Sequence, residues 1–473
     1  MQTIVFINPP LPRKQRYGIL GLTLGELQPI GLCYLSAVTR NNGLRTFILD
    51  AAVLNLSIKE TVSRALSYNP DFVGISATTP AIYSAATIAQ LLKQNKPNLI
   101  TLIGGRHLTS LPEITMRLFP QFDCGVIGEG EDNIIQLLKL YARRVEPFNV
   151  RGIIYRKNCR LILNSIDNPP SDLDSLPMPA YDLLDRYRKY YRPNLSSLNR
   201  LPIACIVSSR GCTYRCSFCE IRTAYNHFRY HSAEYLMDTI KYLKKYCGIR
   251  EIAFKDSNIT IPKTRFLRFC ELIRKEKLNI TWSCMTRADS VSPALLEEMK
   301  RSGCWQIGYG VESGSQSLLD FLKKDLSLNT VLNAARWTKE AGIKSIGYFM
   351  IGLPKETEKS VKTTLEFIRR CDFDFIKVNF FTPYPGSEIA KSIYKFGSFE
   401  SNWTKMNEGY PVFIPLGIGI EKLYYYSKKY ITSFYLRKKI FIRMIKRINN
   451  FKMLLSFLKA FWAILRYGFK KVE

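Results

Sequence analysis

Residues 208–220 read SSRGCTYRCSFCE, with Cys212, Cys216 and Cys219 inside eight positions and no fourth cysteine near enough to complete a tetrahedron. Structural zinc asks for four ligands, usually from CxxC pairs or histidines at metal spacing. The spacing here is CxxxCxxC, and His227 and His231 lie past the loop. A cubane iron–sulfur cluster normally takes four thiolates, so three leave one iron open to a substrate or cosubstrate. Phe218, directly before the third cysteine, is placed to shield the cluster edge or to stack on a flat ligand. The loop follows the apolar run IACIVSS, which reads as a strand, so the thiols open onto a C-terminal strand end.

The strand pattern continues on both sides. Residues 201–384 carry IACIVSS, EIAFKDS, ITWSCMTR, WQIGYGVES, IKSIGYFMIGLP and FIKVNFFTPY, separated by helical segments such as AEYLMDTIKYLKKYCG and NTVLNAARWTKEAG. Six parallel strands are too few for an eight-fold barrel and predict a partial, partly open (β/α)6 barrel over residues 201–390. Upstream, TIVFINP, LRTFILD, DFVGISAT, LITLIGG and CGVIGEGE each precede a helical pattern. The spacing predicts an α/β domain over 1–145, a doubly wound, Rossmann-like parallel sheet. Ligands of such sheets sit beyond the carboxyl ends of the strands, which makes Asn8, Asp50, Ser76, Gly104, Gly105 and Gly128 candidates. Each also reads as an ordinary turn residue. Residues 146–200, with a possible hairpin in RGIIYRKNCRLIL and then DNPPSDLDSLPMPAYDLL, read as a linker.

The 473 residues hold 69 Lys and Arg against 39 Asp and Glu, a formal net charge of +30. Such a balance points to nucleic acid, a lipid surface or phosphorylated substrates, although a basic proteome or simple solubility would also produce it. Part of the excess lies in residues 391–473, a basic and largely helical region. Between Glu421 and Glu473 there are ten Lys and four Arg against two Glu. Phe451, Leu454, Leu455, Leu458, Trp462 and Leu465 fall on one helical face, and Lys452, Lys459 and Arg466 on another. A helix of this kind rests on an anionic membrane or packs on its own barrel. Of twelve cysteines only the central three are clustered, and MQTIVFINPP lacks a secretory pattern, so a reducing cytoplasm is expected. Peripheral contact with the inner face of the membrane is expected too, with no spanning segment, since no apolar run reaches ~18 residues.

The CxxxCxxC loop with an aromatic before its last cysteine resembles the radical S-adenosylmethionine (SAM) enzymes. The likeness runs on through FKDSNIT at 254–260, WSCMTR at 282–287, GVESGSQ at 310–316, GYFMIGLP at 347–354 and FFTPYPGS at 380–387. It implies a 4Fe-4S cluster on Cys212, Cys216 and Cys219, whose open iron chelates SAM through its amino and carboxylate groups. One electron, from a reductase such as flavodoxin or ferredoxin, then cleaves SAM to methionine and a 5′-deoxyadenosyl radical. By the same resemblance Asp256 lies near the SAM amino group, and Ser283 and Arg287 stand on the third-strand segment. Glu312 would contact the ribose or methionine part, and the segment with Gly352 would approach adenine.

PIGLCYLSAV at 29–38, LIGGRHLTSLPE at 102–113 and VIGEGE at 126–131 are similar to the cobalamin-binding domain of one large radical SAM subfamily. The usual DxHxxG signature is here Asp50-Ala51-Ala52-Val53-Leu54-Asn55, with Ala52 in the histidine slot and Asn55 in the glycine slot. No lower imidazole ligand comes from this loop, and the subfamily can hold cobalamin base-off without one. His107 either approaches the corrin or fills a turn or the core; Arg106 and Leu108 stand where the subfamily often carries prolines. The resemblance implies hydrogen abstraction at an unactivated carbon, followed by methylation or by ring formation as in the anaerobic magnesium-protoporphyrin ester cyclase. The basic tail points to an apolar small-molecule substrate, an isoprenoid or hopanoid lipid or a tetrapyrrole. The rival readings are a methylthiotransferase acting on tRNA, which the charge would suit, and a non-catalytic membrane-associated homologue. Cys33, Cys124 and Cys159 are too scattered for the second cluster of the former, so nucleic acid is not favoured, and the intact cysteine loop speaks against the latter.

Overall fold

The computed structural model describes residues 1–12, 25, 27–158, 160–166, 172–184, 187–193, 195–225 and 227–445. The amphipathic helix expected at 448–473 lies outside the described residues. Five parallel strands begin the chain: β1 (Thr3–Asn8), β2 (Arg45–Asp50), β3 (Phe72–Ser76), β4 (Ile100–Gly104) and β5 (Cys124–Val126). They pair in the order β2-β1-β3-β4-β5, so the winding reverses between β1 and β3. Both faces are covered, which is why these strands read as continuous apolar runs. Ile4 and Phe6 face one core with Leu32, Val38 and Leu137, while Val5 and Ile7 face the other with Val73, Ala85 and Ile88.

The stretch assigned to a linker does not begin at 146. The strands β6 (Ile153–Lys157) and β7 (Arg160–Leu163) add to the free edge of β5 in antiparallel fashion. Ile153, Ile154 and Tyr155 are buried there, so the hairpin seals an edge of only three residues, and the first sheet runs to Leu163. The true connection is studded with buried tyrosines. Tyr187 Oη donates to Ile203 O at 2.6 Å, Tyr181 Oη to Cys205 O, and Tyr191 Oη to the Asp50 carboxylate at 2.9 Å. These bonds stitch the linker to both sheets.

The second sheet holds β8 (Ile203–Ile206), β11 (Glu251–Phe254), β12 (Thr281–Thr286), β13 (Cys304–Glu312), β14 (Lys344–Ile351) and β15 (Phe375–Phe380). The six pair in parallel in sequence order, the partial (β/α)6 barrel read from the sequence, with β8 and β15 left as open edges. Between β8 and β11 lies a short hairpin of β9 (Ser209–Arg210) and β10 (Arg229–Tyr230). The first long helix, Ala233–Cys247, starts where Ser232 Oγ accepts from Tyr235 N and stops at Gly248 in the left-handed region. Behind β11 and β12, Phe254, Phe266 and Phe269 meet Trp282 edge to face in a fully buried core.

The C-terminal region opens on a 3-10 helix, Ile389–Lys395. A two-stranded antiparallel ladder, β16 (Gly397–Phe399) with β17 (Phe413–Pro415), precedes the helices Ile420–Tyr435 and Lys438–Ile445. The former packs on the barrel helix Glu358–Arg370 through Leu423, Tyr426, Tyr430 and Phe434, with Tyr430 Oη donating to Val361 O at 2.9 Å. Among the described residues no helix is long and apolar enough to cross a membrane.

Candidate active site

The end of β8 delivers the cysteine loop, and the loop's root is clasped from the neighbouring strand end. Asp256 accepts from Ser208 N at 3.0 Å, Ser208 Oγ at 2.8 Å and Ser209 Oγ at 2.5 Å. Burial pushes the Asp256 carboxyl up while Ser209 and Arg265 pull it down. The residue expected near the SAM amino group therefore faces the root of the loop. Further on, Ser217 N donates to Leu322 O at 2.9 Å and Ile389 N to Ser217 O at 3.0 Å, which ties the loop's middle to segments following β13 and β15. Tyr214 lies under the Arg287 guanidinium at 3.7 Å. Cys212, Cys216 and Cys219 are free and half-buried. Burial pushes the thiols of Cys216 and Cys219 up, the latter to about 11, and Lys324 and Arg287 pull Cys216 back down.

Facing the loop, β13 ends in Glu312 with φ 69, at the point where its register with β14 slips. A left-handed glutamate is costly and persists where its surroundings demand it. Here it turns the carboxylate onto Lys324, Oε1 to Nζ 2.9 Å, with both side chains about nine-tenths buried. Lys324 Nζ also lies 5.8 Å from the Phe218 ring. Gly310 makes room for the pair, since a Cβ there would stand 2.6 Å from Glu312 Oε1. Arg287 spends Nε and Nη2 on Asp289 and Asp325 O, but its Nη1 is buried with no partner among the described residues. Below this charged rim Met285 is 38% exposed, and a Cβ on Gly308 would touch both Met285 and Tyr348. Ser283 shares the Met285 face one step deeper and is buried. Gly352, with φ 85, turns the chain out of β14, and its N–H and that of Leu353 donate to the buried Glu356, whose carboxyl burial raises to about 8.

This donor set fits a cluster carrying SAM. Three free thiols share one loop at a strand end, the Lys324 and Arg287 cations offset the negative charge that thiolate ligands bring, and the unpaired Arg287 Nη1 is a donor open to an anion.

At the carboxyl end of the first sheet, a narrow cleft opens at the winding reversal, lined by Phe6, Leu35, Gly74, Ser76, Leu102, Gly104, Gly105, Val126 and Gly128 among others. A Cβ on Gly128 would meet nothing within 4 Å, so this glycine leaves space open. Four of the six expected candidates thus border one cleft; Asn8 and Asp50 do not. Asn8 Nδ2 donates to Asp50 Oδ1 at 2.8 Å, the two ending neighbouring strands, with Asp50 directly before the turn that carries Ala52. Asn55, in the glycine slot of the cobalamin signature, has φ 53 and keeps the left-handed turn that asparagine tolerates. The slot that changed chemistry is Ala52. His107 is fully buried, with Nδ1 3.3 Å from Thr79 Oγ1 and its ring against Trp403, a place in the core; burial lowers it to about 4. A glycine-rich apolar cleft at this end of a doubly wound sheet fits the flat base of a cobalamin held base-off. A second cavity, beside Tyr181, Tyr187 and Tyr246, contains none of these residues.

The two sites are joined by charge. Arg210 of β9 reaches Glu129, and its Nη2 lies 2.7 Å from Glu131 Oε1; Arg229 of β10 also reaches Glu129. All four side chains are more than nine-tenths buried. Sequence reading missed this quartet, together with Lys324 and Tyr214. The only signal was two glutamates in VIGEGE, and nothing in the spacing says that arginines 79 to 100 positions later meet them.

The chain matches the B12 binding domain over residues 18–138 and the Radical SAM superfamily over residues 206–368. An uncharacterized methyltransferase of Pyrococcus horikoshii is 31% identical over 431 residues, covering 89% of this chain and 91% of that protein. The chain is a B12-binding member of the radical SAM superfamily. Membership makes this radical SAM protein an enzyme whose cofactors are a 4Fe-4S cluster, SAM and cobalamin. Anaerobic magnesium-protoporphyrin IX monomethyl ester cyclase of Rubrivivax gelatinosus is 27% identical, covering 78% of this chain and 67% of that one. Among solved structures, the cobalamin-dependent SAM radical enzyme OxsB with aqua-cobalamin and SAM bound superposes with a TM-score of 0.76 at 16% identity. That comparison covers 99% of this chain and 72% of OxsB, and it shows that the radical SAM fold and the sheet before it are arranged as in that protein.

Proposed function

We propose that this radical SAM enzyme methylates an unactivated carbon of an apolar, membrane-derived small molecule. The observation that carries the reading is the set of strand ends around the cysteine loop, where Lys324 is engaged by Glu312 and the apolar bodies of Phe218, Met285 and Tyr348 stand beside the charged groups. When bound, SAM on the cluster supplies hydrogen-atom abstraction and cobalamin supplies the methyl group. The protein's part is placement and exclusion of water. Lys324 and Arg287 hold charge around Cys216, Arg287 Nη1 would receive the carboxylate of a bound SAM, and Glu312 with its lysine partner fixes the wall facing the loop. The Arg210 quartet sets the cleft of the first sheet against this mouth.

Surface chemistry supports the membrane source. Leu416 is 83% exposed and its N–H donates to Phe396 O, next to a segment that carries the exposed Lys391, Tyr394 and Lys395. Apolar side chains among lysines suit an anionic lipid surface on the cytoplasmic side. A flavodoxin- or ferredoxin-type reductase is the proposed electron donor. Identity to the cyclase favours a second reading, oxidative ring formation, which begins with the same hydrogen abstraction.

One experiment separates them. Protein reconstituted without oxygen with iron, sulfide and cobalamin is incubated with methyl-deuterated SAM, a reductant and a lipid extract. A deuterated methyl in an apolar product, with 5′-deoxyadenosine released, supports methylation. An unlabelled product two hydrogens lighter supports cyclisation, and label in water-soluble products alone overturns the apolar substrate.

A further inference from the structure

The loop that would supply a lower imidazole carries Ala52 instead, so the grip on cobalamin has to come from elsewhere. No residue lining the cleft of the first sheet is charged. Yet cobalamin has one anionic group, the phosphodiester that links its corrin to the ribose and base. A base entering an apolar cleft brings that phosphodiester to the rim, where its charge needs a partner.

Arg106 is at the rim. It directly follows Gly105, whose positive φ and close approach to Ser76 and Ala77 place it in the cleft wall. Its guanidinium lies over the Tyr225 ring at 4.9 Å and faces Glu220, both from the segment that leaves the cysteine loop. No carboxylate forms an ion pair with it among the described residues, and its Nη1 is buried without a partner. A buried guanidinium nitrogen left unpaired is a cost that a bound oxyanion relieves.

Resting on the reading that this chain binds cobalamin, we infer that Arg106 holds the cobalamin phosphodiester at the junction of the two domains. Tyr225 fixes the plane of the guanidinium by stacking, and the planar fork offers two parallel donors to the phosphate oxygens. The anchor takes over part of the binding that a histidine–cobalt bond would otherwise provide.

The test is a binding measurement on the full chain with its cluster reconstituted. Hydroxocobalamin is titrated by equilibrium dialysis into wild type, Arg106→Gln and Arg106→Lys, and so is cobinamide, which lacks the nucleotide and the phosphodiester. The expected result is a weakening of cobalamin binding by about 10- to 100-fold in Arg106→Gln, partly restored in Arg106→Lys, with cobinamide binding unchanged. Equal losses for both ligands, or unchanged cobalamin binding, overturn the assignment. Should Arg106→Gln fail to fold, wild type alone decides: rising salt must weaken cobalamin more than cobinamide, and equal sensitivity overturns the proposal. Wild type that binds neither ligand overturns the cobalamin reading itself and this inference with it.

Discussion

Arg210 Nη2 lies 2.7 Å from Glu131 Oε1, and this buried pair joins the loop that ends β5 to the strand that leads into Cys212. Glu131 follows the first sheet and Arg210 lies in the hairpin beside the cysteine loop, so each borders a different cofactor site. With Glu129 and Arg229 they form a compensated quartet of two carboxylates and two guanidiniums. Removing one partner strands a charge in a dry interface. Arg210→Met is therefore expected to cost about 3–5 kcal/mol in urea unfolding. Arg210→Met with Glu131→Gln together should cost less than the two singles added, and simple additivity would show that the pair is not coupled.

The cysteine loop is held by Asp256, Ser217 and Tyr214 through contacts that do not involve a thiol. Cys216→Ala should consequently keep the fold while losing the cluster. Far-ultraviolet circular dichroism is expected to match wild type, whereas bound iron and 5′-deoxyadenosine formation fall to background. Normal SAM cleavage by this variant would remove the cluster assignment.

Lys324 neutralises Glu312 and sits beside both Phe218 and Cys216. Lys324→Met leaves the Glu312 carboxylate buried and alone, in a backbone conformation already strained. The expected outcome is at least about a 10-fold loss in SAM cleavage, with Lys324→Arg recovering part of it and Glu312→Gln in the Lys324→Met background relieving the stability loss. Steady-state 5′-deoxyadenosine release and thermal unfolding read the two effects separately.

His231 is packed between the domains, stacked on Tyr235, with its ring nitrogens 3.1 Å from Asp174 Oδ1 and 3.3 Å from Tyr34 Oη. Burial lowers it to about 4; Asp174 pulls upward, while Arg210 and Arg265 add to the lowering. At neutral pH the Asp174 contact is thus a hydrogen bond from a neutral ring. The folded value lies below the unfolded one of about 6.5, so the folded state binds fewer protons. The stability is present above pH ~6.5 and is lost as pH falls toward ~4, by on the order of 2–3 kcal/mol, with His107 acting in the same direction. Urea midpoints at pH 7 and pH 5 check this, and His231→Gln should flatten the dependence.

Much of the fold was legible because parallel strands buried on both faces write themselves as unbroken apolar runs. All five parallel strands of the first sheet and all six of the barrel stand where those runs lie. The hairpin at Ile153–Leu163 shows where this stops. Its pattern marks two strands, but whether they join a sheet depends on the free edge of β5, which no local pattern records.

At the candidate site, the sequence alone determined the chemistry that spacing dictates: three thiols in CxxxCxxC, an aromatic at Phe218, glycines at strand ends, and an alanine where a histidine would ligate cobalt. These are short-range facts, set within a loop or a turn. Tertiary structure decided which charges meet. Lys324 finds Glu312 across a turn, Arg210 finds Glu131 across 79 residues, and Arg106 comes to rest on Tyr225 with one nitrogen unpaired. A buried charge is tolerated only beside its partner, and that partner is chosen by the packing of two sheets against each other.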